Sequence, residues 1–106
     1  MTLVERFTRA RRRLAGDGWN RNAVETVDAR GRWCPPTDEA AHAFSLLGAF
    51  EADGPALEPW EVLDAVAGGS ALLWEQDPMR TTSDVQRILS TAIARAAALE
   101  RRRGRA

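Results

Sequence analysis

Between Val85 and Leu99 the apolar residues Val85, Ile88, Leu89, Ala92, Ile93, Ala96 and Leu99 follow one another at steps of 3, 1, 3, 1, 3 and 3. A strand cannot use that spacing, because its side chains alternate with period two. A helix of 3.6 residues per turn gathers all of them on one stripe. Thr81, Thr82, Ser83 and Asp84 precede the stripe and supply helix-starting side chains. The core is therefore expected between this C-terminal helix, a first helix and a central one.

The first helix is expected from Leu3 to Ala15. Thr2 and Glu5 form a capping box, Leu3, Phe7, Ala10 and Leu14 share one face, and Gly16 stops the run. A central helix is expected over residues 38–52, started by Thr37 or Asp38, with apolar residues on several faces. On it Ser45 and Gly48, three apart, leave a shallow notch where another element can approach closely. A third helix begins at Pro59 with the stripe Trp60, Leu63, Val66 and Ala67. Ser70 caps a short fourth that runs to Trp74 or Glu75 and buries Leu73 and Trp74. From Trp19 to Trp33 helical periodicity is missing, and Asp28-Ala29-Arg30-Gly31 reads as a tight turn. A short irregular β-hairpin is expected there, with strands near 20–27 and 31–34, ended by Pro35-Pro36. The fold class is thus mainly α, or α+β if the hairpin forms: a compact bundle of about five helices in a single domain, 1–106, with a frayed Arg-rich tail over 100–106.

Charge narrows the partners. The 15 basic residues balance 15 acidic ones, which argues against bulk electrostatic binding to nucleic acid or membrane. Every basic residue is Arg, none is Lys, and Ala occurs 19 times, the bias of a GC-rich genome. Cys34 stands alone, so no intrachain disulfide can form, in keeping with a reducing cytoplasm. The start Met1-Thr2-Leu3-Val4-Glu5 has no signal-peptide character, and the densest apolar stretch, residues 43–50, is too short to span a bilayer.

Residues with chemistry are sparse. His42 and Ser45 sit three apart on the expected central helix, yet no base-orienting group or oxyanion hole accompanies them. His42 with Asp38 or Glu39 would make a weak metal site, and the absence of a second His removes the usual zinc sets. Neither an enzyme nor a cofactor is expected; a small enzyme centred on His42 is the weakest option. The Arg clusters, with Arg9, Arg12 and Arg13 at one end and Arg101, Arg102 and Arg103 at the other, would form a nucleic-acid patch if the fold brought them together. Of the four Trp residues, Trp19 and Trp74 read as core-packed, while Trp33 and Trp60 read as less committed. Arg32-Trp33 is an aromatic–arginine pair typical of interface anchors. Arg80 stands in the Asp77-Pro78-Met79-Arg80 corner, where Asp77 or Asp84 can pair with it.

Three stretches carry a resemblance. They are Gly18-Trp19 followed by Asp28-Ala29-Arg30-Gly31-Arg32, then Phe44-Ser45-Leu46-Leu47-Gly48-Ala49, then Trp74 to Pro78 with Arg80 and Thr81 leading into the last helix. In this order they resemble a family of small proteins of unknown function encoded by actinobacteria and their phages. The chain departs from that pattern at Ser45, where the family tends to have Cys, and at Trp74-Glu75-Gln76, where it tends to read Trp-Asn-Asp. The resemblance implies no activity and no cofactor. The expected function is therefore a non-enzymatic interaction or regulatory protein, phage- or mobile-element-encoded, that docks a protein partner through the hairpin region with Arg32, Trp33, Trp60 and Arg80. A nucleic-acid-associated protein using the Arg-rich helix ends is the alternative.

Overall fold

The structure is a computed structural model that describes residues 1–20 and 26–105. Its elements run α1 (Leu3–Arg13), β1 (Val27–Asp28), β2 (Ala41–Ala43), α2 (Leu46–Glu51), α3 (Leu57–Ala67), α4 (Ala71–Gln76) and α5 (Thr82–Arg105). The fold is mainly α with one small antiparallel sheet, as expected. No helix among the described residues is long and apolar enough to cross a membrane.

The predicted α5 stripe is the floor of the core. Val85, Leu89, Ala92 and Ala96 are fully buried, and Leu3, Phe7 and Ala10 of α1, with Leu14 just past its end, pack into the same cluster. The two helices run antiparallel: the Val4 N–H donates to Glu100 Oε1 at 3.1 Å, and Gln86 Nε2 donates to the Arg11 carbonyl at 3.0 Å. Thr81 and Asp84 cap α5 reciprocally, Thr81 Oγ1 accepting from the Asp84 N–H and Asp84 Oδ2 accepting from the Thr81 N–H. The helix does not fray at residue 100 but continues to Arg105. Arg103 meets Glu58 of α3 at 2.8 Å; both are mostly exposed, so the pair contributes little.

The central helix is shorter than expected. Residues 38–52 are not one helix, because Ser45 is the N-cap of α2, extended at φ −68° and ψ 166°, with its Oγ accepting from the Gly48 N–H at 3.1 Å. Upstream, the backbone is committed elsewhere. Phe44 donates to the Gly18 carbonyl at 2.7 Å and accepts from the Asn20 N–H at 2.8 Å, while Ala41–Ala43 pairs with Val27–Asp28. A helix through 38–45 would break all of these bonds. His42 consequently lies on β2 and is exposed, one face away from buried Ala43.

The expected turn is present. Asp28 Oδ1 accepts from the N–H groups of Arg30 and Arg32 at 2.9 Å each, and Gly31 takes a φ of 77° that favours glycine. The Cys34 N–H donates to the Thr26 carbonyl at 3.1 Å, so the chain does fold back over 26–34. The expected pairing is present as an antiparallel bridge between Val27 and Trp33, and β1 also pairs antiparallel with β2, which the sequence did not indicate. Most of the expected first strand, including Val24, lies outside the described residues.

α4 is rotated relative to the sequence reading. Ser70 caps it as expected, but its buried residues are Ala71 and Glu75, and Leu73 is 69% exposed. Glu75 causes this. Its Oε2 accepts from Trp19 Nε1 at 2.9 Å and from the Leu46 N–H at 2.6 Å, so the acid faces inward and ties α4 to the start of α2.

Arginines on α1 hold the other end of α2. Arg6 donates to the carbonyls of Phe50, Gly54 and Pro55, at and just beyond the helix end. Arg13 donates to the Ala49 carbonyl and, with Arg9, to the Asp53 carboxylate.

Candidate functional site

α2 is thus clamped at both ends, and its outer side faces the turn that follows β1. Between them lies a notch of about 190 Å³. Trp33, Pro36 and Leu47 give it apolar walls, and Thr26, Ser45, Gly48 and Glu51 complete the lining. The Ser45–Gly48 notch read from the sequence is therefore present, though its cause is the first turn of a helix rather than the middle of one.

Two features of this notch are unusual. Thr26 is only 2% exposed, yet its Oγ1 has no hydrogen-bond partner among the described residues. An unpaired buried hydroxyl costs about 1–3 kcal/mol. Gly48 is what makes room for it: a Cβ there would stand 2.5 Å from Thr26 Oγ1 and 3.2 Å from Ser45 Oγ. The second feature is Trp33, 63% exposed at the notch edge, next to exposed Arg32 and fixed by its bridge to Val27.

The other expected docking residues are elsewhere. Trp60 is half-buried, edge-on to Phe50 at 6.4 Å, so it belongs to the core margin. Arg80 pairs with neither Asp77 nor Asp84. Its Nε donates to the Trp74 carbonyl at 2.8 Å and its guanidinium lies 4.1 Å from the centre of the Trp74 ring. That stack borders a separate cleft beside Asp84 and Arg87, which shares no lining residue with the notch.

The arginine clusters do not form one patch. Arg9 and Arg13 are occupied by Asp53, leaving Arg12 exposed. Arg101, Arg102 and Arg103 lie at the opposite end of the antiparallel pair, beyond the Glu100–Val4 contact. His42 and Ser45 do not share a helix, and no group of three or more His, Cys, Asp or Glu among the described residues could hold a metal ion. Cys34 is buried; desolvation, then the Asp38 and Asp28 charges, push its thiol pKa up and keep it protonated.

Glu75 was not singled out by its sequence pattern; an acid within an apolar run, Ala71-Leu72-Leu73-Trp74-Glu75, was the available signal. Burial raises its pKa, only partly offset by its bonds from Trp19 and Leu46. A raised acid pKa favours the protonated folded state, so this contribution is fully present below about pH 4.5 and is lost as pH rises through the folded pKa. Glu75→Gln retains an acceptor oxygen and removes the buried charge. It is expected to change stability at pH 7 by less than about 1 kcal/mol, while urea titrations between pH 5 and 8 show a flatter dependence than the wild type.

No family model, no curated protein and no solved structure matches the chain.

Proposed function

We propose that the chain is a non-enzymatic docking protein that binds a protein partner through Trp33 and the notch beside it. The observation that carries this is a 63% exposed tryptophan, bridged through its backbone to Val27, at the edge of a notch whose buried Thr26 hydroxyl has no partner among the described residues. Tryptophan is costly to leave in water and is the residue most enriched among binding anchors. Arg32 beside it supplies a donor for a partner's rim. Phage or actinobacterial origin belongs to the same proposal and rests on the short motifs alone. The nucleic-acid alternative is weaker, since the arginines are dispersed and several already hold carboxylates or carbonyls.

Selection of a random-peptide display library on the immobilised protein tests the proposal. Enriched peptides are expected to bind Trp33→Ala at least tenfold more weakly, a difference of about 1.4 kcal/mol. The variant's melting temperature should hardly move, because the side chain lies mostly in solvent. Failure to enrich any sequence, or enrichment of peptides that bind Trp33→Ala equally well, would remove the docking surface.

A further inference from the structure

We infer that the notch accepts the side chain of a lysine or arginine from an extended partner segment. This rests on the docking proposal and specifies the residue that enters. At about 190 Å³ the notch falls short of the roughly 300–1,000 Å³ typical of small-molecule pockets, and it suits a single side chain. Pro36 and Leu47 offer apolar walls for a methylene stem, as long cationic side chains prefer. The Trp33 ring offers a π face for the charge, and Glu51, exposed at the rim, offers the counter-charge. Thr26 Oγ1 is a buried acceptor that has no hydrogen-bond partner among the described residues.

The electrostatics favour a cation over an anion. Among the described residues no arginine lines the notch. Of the N–H groups in the first turn of α2, that of Leu46 is taken by Glu75 and that of Gly48 by Ser45, so the helix start has few donors left for an anion. The turns on either side carry Asp28, Asp38 and Glu39 against Arg30 and Arg32. A neutral side chain would leave Glu51 unused.

The test is a titration of the ¹⁵N-labelled protein with blocked pentapeptides, alanine throughout except for Lys, Arg, Met or Glu at the centre. The Lys and Arg peptides are expected to shift the Gly48 amide and the Trp33 indole N–H resonances, with the Met and Glu peptides at least fivefold weaker. Glu51→Gln, on an exposed position, should weaken the Lys peptide at least threefold. Thr26→Val should also weaken it, while melting no lower than the wild type, since it removes a hydroxyl that has no partner among the described residues. A Met peptide that matches the Lys peptide overturns the cation assignment and leaves docking at Trp33 standing. Silence from all four peptides also overturns it, and the display selection then decides separately whether Trp33 docks a partner.

Discussion

Phe50→Ala is expected to lower the free energy of unfolding by about 3–5 kcal/mol, the range for truncating a buried Phe. Phe50 is 1% exposed and stands edge-on to Phe7 at 5.1 Å and to Trp60 at 6.4 Å, with interplanar angles of 81° and 82°. Such edge-to-face pairs add about 0.5–1.5 kcal/mol beyond area burial. One ring therefore joins α1, α2 and α3. α2 has 6 residues, far fewer than the roughly 12–15 at which a helix becomes even marginally stable alone. Its conformation depends on tertiary packing, and Phe50 supplies the largest apolar share. Thermal unfolding should show a fall in midpoint of about 10 °C or more. A loss below about 1 kcal/mol would mean that α2 is held mainly by its polar clamps.

Removing one of those clamps is the second large effect. Asp53→Ala is expected to cost about 2 kcal/mol at pH 7. The Asp53 side chain is 5% exposed. It accepts from Arg13 Nη2 at 2.9 Å and from Arg9 Nε at 3.1 Å. Arg13 first, and then Arg9, hold its carboxyl down to about 2 against the opposing effect of burial. A drop from 3.8 to about 2, at about 1.4 kcal/mol per unit, gives the magnitude. The sign follows from the depressed value: the folded state binds this proton less readily than the unfolded chain does. The contribution is full above pH 3.8 and disappears as pH falls through about 2. Denaturation curves from pH 7 to pH 2 should therefore show the wild type losing an increment that Asp53→Ala never had. Parallel curves for the two proteins would show that the ion pair does not stabilise the fold.

The long elements were legible because their stripes are periodic and their caps are local. Val85 to Leu99 and Leu3 to Leu14 could each be read from spacing, and Thr2, Ser70 and Thr81 from side chains that bond three residues ahead. Residues 38–45 were misread because alanine fits a helix and a strand alike, and Ala40, Ala41 and Ala43 gave no period to choose between them. The decision came from Phe44 bonding to Gly18 and Asn20, partners more than twenty residues away that local spacing cannot reveal. Arg6, Arg9 and Arg13 were visible as a charged face, but their attachment to the end of α2 depends on how two helices meet. The notch was half legible. Ser45 and Gly48 could be paired on spacing, whereas the Thr26 hydroxyl opposite them, without a partner among the described residues, is a property of the folded chain alone.

The antiparallel course of α1 and α5 fixes where additional chain can go. Val4 meets Glu100, so both described ends leave from one pole of the molecule, whereas Gly18 to Asn20 and the strand ladder follow the far end of α1. A fluorescent tag, a surface tether or a neighbouring domain attached at either end would start on the same side. Cargo at either end would start at the pole opposite Gly18 to Asn20 and the strand ladder, to which Trp33 is joined by its bridge to Val27.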